Sequence, residues 1–190
     1  MNAPAGESVY VTSFEEIIWG GTLVAITMVI HGFGMLLVLR LNGALKDRLD
    51  RNPSFVKGMS ILILASWMIL TVHLAEVFTW SWFFLWKDAL AVSADKINRS
   101  LCYYFALMDY TTLGSNYNLN VRWRLLEGMI AMAGLLTFAW STGVLLTIAQ
   151  DFEDQQIQLL KKRREKRRFR QLSPELATSN PPSVGHDVHE

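Results

Sequence analysis

Cysteine is nearly absent from this sequence. Cys102 is the only one in 190 residues, so no disulfide can form within the chain. Its expected role is that of a small apolar packing residue, with a bridge between subunits as the other option. Charge is scarce too: charged residues make up 18%, against about 25% in an ordinary soluble domain. The shortage is concentrated in three stretches. Residues 17–39 and 128–150 carry no charged side chain, and residues 58–86 carry only Glu76. Residues 1–14 contain no Lys or Arg. A cleaved signal peptide needs a basic leading region, so the first apolar stretch is expected to stay in the protein. Regularly spaced arginines are missing from the apolar stretches, which argues against a voltage sensor. There is no internal repeat, which argues against a transporter assembled from two similar halves. No nucleophile, metal-ligand set or phosphate-binding loop points to an enzyme.

What is present is apolar and arranged in blocks. Hydrophobic residues are 51% of the chain. A hydrocarbon core of about 30 Å needs roughly 20 residues of helix at about 1.5 Å each, and each uncharged stretch is that long. Three membrane crossings follow. Basic residues gather at Arg40, Lys46, Arg48, Arg51 and Lys57, and again in a run that opens at Lys161 and closes at Arg170. Positive loops stay cytoplasmic, so the expected orientation is N-terminus outside and C-terminus inside.

The first helix is expected from near Phe14 to about Leu41, with Ser13 as N-cap and Glu15 and Glu16 favourable in its first turn. A polar connection from Asn42 to Pro53 precedes the second crossing, for which Pro53 and Ser54 suit the start. That crossing ends in Trp80, Trp82, Phe83, Phe84 and Trp86, an aromatic cluster expected at the outer membrane boundary. Another apolar piece, residues 100–108, is too short to cross and lies between two crossings on the outer side. A re-entrant helix accounts for it. An extended polar segment follows, and the third helix is expected from Val121 or Trp123 to about Ala149. A charged helical extension covers residues 151–171, and residues 173–190, with Pro174, Pro181 and Pro182, are expected to be disordered.

The segment after the short helix reads Tyr110-Thr111-Thr112-Leu113-Gly114-Ser115-Asn116. In this position it resembles the pore-loop potassium channel superfamily, in particular bacterial channels with two pore-forming helices, over roughly residues 55–149. The resemblance implies that four copies of Thr111, Thr112, Leu113 and Gly114 surround an axis, where backbone carbonyls and Thr112 hydroxyls replace the water shell of a permeant monovalent cation. It also implies a homotetramer without a resident cofactor, with Asp109 and Tyr110 supporting the filter. The sequence departs from the family after Gly114. Ser115 and Asn116 stand where an aromatic brace and a second glycine belong, so potassium selectivity is expected to be weakened. Asn116 is expected to take left-handed backbone in place of that glycine. In the third helix, Gly134 and Gly143 serve either as gating bends or as close-packing positions. Thr137, Ser141 and Thr142 either face the cavity or bond back to their own helix.

Intramembrane polar groups are functional candidates, here His31, His73, Glu76 and Asp109. His73 and Glu76 share a helix face and suit a proton-sensing pair, a metal site or an interfacial hydrogen-bonded pair. Asp109 is expected to bond near the filter or to pair with Arg99, Arg122 or Arg124. A haem held by His31 and His73 is the rival reading, and the expected depths of the two, roughly 10 Å apart at 1.5 Å per residue, argue against it. The basic run from Lys161 to Arg170 anchors topology and attracts anionic lipid headgroups; nucleic acid is not an expected partner. The fold class is thus an all-α membrane protein with three transmembrane helices and a re-entrant helix and filter loop between the second and third. Residues 1–54 form the accessory part, 55–150 the pore, and 151–190 the cytoplasmic tail. The alternative function is a non-conducting accessory or structural subunit of the same fold.

Overall fold

Long apolar runs must satisfy their backbone groups within the segment, which favours long helices, and the computed structural model, which describes residues 12–49, 55–93 and 97–178, is built from them. Helix α1 spans Phe14–Leu49, α2 Phe55–Trp86, α3 Arg99–Tyr110 and α4 Leu125–Thr178, with a 3-10 turn at Val121–Trp123 before the last. Helices α1, α2 and α4 are long and apolar enough to cross a membrane. Their outer faces show Leu36, Leu37, Trp67, Leu70, Leu135 and Leu136 uncovered. Apolar surface on this scale suits lipid and not water.

Ser13 caps α1 as expected, its hydroxyl accepting the Glu16 amide hydrogen at 3.2 Å. The helix then continues to Leu49 instead of ending near Leu41. Residues 44–49 are almost all good helix formers, and Lys46 on this extension pairs with Asp151 of α4 at 3.1 Å. Pro53 and Ser54, expected to open the second helix, lie outside the described residues. Helix α4 likewise runs further than expected. It passes through Ser173 and Pro174 to Thr178, because the Lys, Arg, Glu and Gln side chains that precede them favour helix. Residues 179–190 lie outside the described residues.

The aromatic cluster at the end of α2 is not a uniform boundary belt. Trp80, Phe83 and Phe84 are buried, while Trp82 and Trp86 point outward. Helical spacing explains the division: positions three and four apart share a face, and here one face meets the other helices. Trp80 donates its indole N–H to the Thr27 hydroxyl at 2.9 Å, tying α2 to α1. Phe84 meets Phe105 of α3 and Phe83 meets Trp123 edge-on. Cys102 is buried in this same cluster, as a packing residue should be.

Helix α3 is capped by Asn98, whose side chain accepts the Leu101 amide hydrogen at 2.9 Å. It packs on both α2 and α4 through Phe105, Ala106 and Tyr110. The chain entering α3 and the chain leaving the loop after it are paired in an isolated antiparallel bridge between Leu90 and Leu119. Ala91 N–H donates to the Asn118 carbonyl at 2.8 Å, and Asn120 N–H donates to the Ala89 carbonyl at 2.7 Å. The start of α4 is held by α1. Glu16 accepts the Leu125 amide hydrogen, and Glu15 pairs with Arg122. A carboxylate at a helix N-terminus satisfies an otherwise orphaned donor and complements the helix dipole.

Candidate functional site

Two groups of residues come together around the end of α3. One is the segment expected to form a filter. The other is a buried polar cluster, only parts of which sequence reasoning singled out.

The segment begins as a helix terminus and not as extended chain. Thr112 N–H donates to the Asp109 carbonyl at 3.0 Å and Leu113 N–H to the Met108 carbonyl at 3.0 Å. This is the paired pattern that closes many helices, in which the turn residue adopts left-handed backbone. Here that residue is Thr112, at φ 62°. A β-branched side chain rarely accepts this conformation, since its methyl and hydroxyl crowd the backbone. Gly114, at φ 73°, is the other left-handed position, where the absence of a Cβ removes the strain. The expectation that Asn116 would take this role is therefore corrected: the terminal turn of α3 places it two and four positions earlier. The Thr111 hydroxyl bonds back to the Leu107 carbonyl at 2.8 Å. Thr112, Leu113, Gly114 and Asn116 are exposed, and the Ser115 hydroxyl accepts the Tyr117 amide hydrogen at 3.2 Å.

Asp109 is mostly buried and lines a recess of about 260 Å³ with Thr112, Gly114, Ser115 and Glu127. Among the described residues it makes no ion pair with Arg99, Arg122 or Arg124; Arg122 is taken by Glu15. Burial, with a further contribution from the Glu127 carboxylate, pushes the Asp109 carboxyl up to about 6. An acid with a raised folded value keeps its proton longer in the folded state, so folding stability falls as pH rises from about 4 to 6. Asp109→Asn removes this penalty. Its melting temperature is expected to exceed that of the wild type at pH 7, with the difference shrinking toward pH 4. An equal difference at both pH values would count against the assignment.

The buried cluster lies behind the segment. His31 Nδ1 is 2.8 Å from Glu76 Oε1, and His73 Nδ1 is 3.3 Å from Glu76 Oε2. The Tyr110 hydroxyl donates to Glu76 Oε2, lies 3.0 Å from His73 Nδ1 and meets the Thr137 hydroxyl. Ser141 Oγ lies 3.0 Å from His73 Nε2 and 3.4 Å from His31 Nε2. Four helices thus contribute one group: α1 gives His31, α2 His73 and Glu76, α3 Tyr110, and α4 Thr137 and Ser141. All six residues are buried. Every buried side-chain nitrogen and oxygen among the described residues has a partner.

His73 and Glu76 form a buried hydrogen-bonded pair. The depth argument against a shared haem fails. His31 and His73 lie at one level, their ring centroids 5.4 Å apart. Rings in near contact leave no room for a porphyrin plane between them.

Tyr110, expected to support the filter, turns its hydroxyl into the cluster. Thr137 does both things expected of it, donating to its own helix and meeting Tyr110. Thr142 only bonds back to Phe138. Gly134 and Gly143 lie within an unbroken α4. A Cβ at Gly134 would stand 2.0 Å from the Tyr110 carbonyl oxygen, whereas one at Gly143 would meet nothing. Gly134 is thus a close-packing position. Sequence reasoning missed Thr27 and the joining of Thr137 and Ser141 to the cluster. The available signal was spacing: Thr27 and His31, His73 and Glu76, and Thr137 and Ser141 each sit three or four apart on an apolar helix, and intramembrane polar pairs turn inward. Comparison with protein-family models, curated proteins and solved structures gives no match, so function is read from the geometry of these residues.

Proposed function

We propose that this chain is one subunit of a homotetrameric pore-loop cation channel. It lies in a bacterial inner membrane with its N-terminus outside and its C-terminus in the cytoplasm. Residues 55–150 form the pore, α3 is the re-entrant pore helix, and the segment from Thr111 to Asn116 lines the ion path. α1 is an accessory helix packed against the outside of the pore.

One observation carries this reading. α3 and its loop form a closed excursion inserted between α2 and α4, with its two ends clamped together by the bridge between Leu90 and Leu119. The inner end of α3 reaches Gly134, nine residues into α4, or about 13 Å at 1.5 Å per residue. Irregular backbone at such depth is tolerated in a membrane only where protein covers it or water reaches it. Four such loops around an axis supply both conditions. The polar recess beside Thr112, Gly114 and Ser115 suits a hydrated cation, and the loss of an aromatic brace after Gly114 suits weak discrimination between monovalent cations. The basic run from Lys161 to Arg170 holds anionic headgroups on the cytoplasmic face.

One observation favours the second reading, a non-conducting subunit of the same fold. The segment closes α3 as a helix terminus, with Thr112 and Gly114 in left-handed backbone, and does not run as extended chain with its carbonyls in line along an axis. Reconstitution into planar bilayers separates the two. The channel reading expects a tetramer, cation current and a small shift in reversal potential when sodium replaces potassium. Cysteine introduced at Thr112 should react with a water-soluble reagent from the outer side. A monomer that carries no current would rule out the channel.

A further inference from the structure

The buried cluster brings together two imidazoles, a carboxylate and a phenol, the ligand types of a metal site. We infer that His31 Nδ1, His73 Nδ1 and the Glu76 carboxylate bind a divalent transition-metal ion such as Zn²⁺, with the Tyr110 oxygen in the fourth position. The site is independent of whether the protein conducts ions.

The three protein ligand atoms lie within 4.8 Å of one another. Bonds of about 2.0–2.1 Å in a tetrahedron place neighbouring ligand atoms roughly 3.4 Å apart. The separations present are 2.8 Å from His31 to Glu76, 3.3 Å from His73 to Glu76 and 3.0 Å from His73 to Tyr110. These are three of the six edges, and they meet two different oxygens of Glu76. The histidine nitrogens need shifts of roughly 0.1–0.6 Å, and the Tyr110 oxygen, in hydrogen-bond contact with Glu76 Oε2, has to draw back further. Two imidazoles and a carboxylate are a borderline set that suits zinc.

The outer nitrogens point the same way. A metal-bound histidine donates its other ring N–H to a nearby acceptor, which fixes the tautomer. Here the Nε2 atoms of both histidines converge on Ser141 Oγ. A hydroxyl oxygen has two lone pairs and can accept both hydrogens, while its own hydrogen is directed at Met35 Sδ, 4.0 Å away. With the protons on Nε2, both Nδ1 atoms are free to coordinate, and a metal ion would take the place of the hydrogen bonds that join them to Glu76.

Charge supports an anionic fourth ligand. A divalent ion with the Glu76 carboxylate and two neutral imidazoles has a net charge of +1, which is costly in a dry interior. Coordination by Tyr110 as phenolate, its proton released to solvent, makes the site neutral. Tyr110 immediately precedes the segment from Thr111 to Asn116, so the ion would fasten α1, α2 and α3 together at the inner end of that segment.

The test uses the full chain in detergent micelles after chelator treatment and desalting. His186 and His189 are replaced by alanine, so that His31 and His73 are the only histidines left. Titration with Co²⁺ should saturate at one ion per chain, give the visible bands of tetrahedral N/O coordination and release one proton. Zn²⁺ should displace the cobalt and raise the melting temperature. His73→Gln and Glu76→Gln should each weaken binding at least 100-fold, and Ser141→Ala should weaken it about 10–100-fold at unchanged stoichiometry. If the cluster is held by protons alone, the wild-type ligand set takes up no ion at micromolar free metal. That result overturns the proposal whether or not the variants fold. So does stoichiometric binding that survives both ligand substitutions.

Discussion

Glu76→Ala is expected to cost about 3–5 kcal/mol of stability, the range seen when one member of a buried charged network is removed. It should lower the melting temperature of the micelle-solubilised protein by on the order of 10 °C. Among the described residues, the carboxylate is the one group hydrogen-bonded to His31, His73 and Tyr110 at once. Its loss leaves two imidazoles and a phenol without their shared partner in an interior that offers no water, and each buried polar group so orphaned costs about 1–3 kcal/mol. Because the three partners sit on three helices, the damage should include loosening of α1 and of α3 from α2. Glu76→Gln preserves shape and one acceptor and should fall between the two. A melting temperature for Glu76→Ala within two degrees of wild type would show that the helices are held by apolar packing alone. Hydrogen exchange then reports which helix is released first; α3, the shortest, is expected to lead.

Gly134 offers a test in which the sign of the effect is informative. Alanine in place of glycine within an exposed helix stabilises by about 1 kcal/mol, since glycine has more chain entropy to lose. A free hinge would therefore gain stability from Gly134→Ala. Here the added methyl would stand 2.0 Å from the Tyr110 carbonyl oxygen, and backbone cannot swing aside as the end of a side chain can. Overpacking of this kind costs about 1–3 kcal/mol, so Gly134→Ala is expected to be destabilising and Gly134→Val more so. The displaced group is the C-terminal end of α3, and on the channel reading proposed above both variants should lose current in reconstituted bilayers. Gly143→Ala, with open space around its Cβ, serves as the control and should be neutral or stabilising. A Gly134→Ala protein more stable than wild type would restore the bend as the better explanation.

The parts of the molecule visible in the sequence are those that depend on composition along one helix. Uncharged runs and the Ser13 cap announce α1, α2 and α4, and the short apolar piece between residues 100 and 108 announces α3. Ends were harder to read. Lys46 and its neighbours look like a polar connection until Asp151 is seen beside Lys46. The aromatic residues from Trp80 to Trp86 look like a boundary belt until α3 covers half of them. Residues from Thr111 to Asn116 look extended because nothing in their order announces that Thr112 will close the helix in left-handed backbone.

Order along the chain was enough to determine an all-helical protein with three apolar helices long enough to cross a membrane and a short fourth between the last two, because lipid demands unbroken, internally bonded apolar helix and the demand is met within each segment. It also marked His31, His73, Glu76 and Asp109 as exceptional, since polar groups are costly in such company. Only the tertiary structure decided that His31, His73, Glu76, Tyr110, Thr137 and Ser141 are one site, and that Gly134 is where α3 meets α4. The level and facing of one helix against another are set by side-chain packing across positions more than a hundred residues apart, as between His31 and Ser141, and no spacing within a single helix records that.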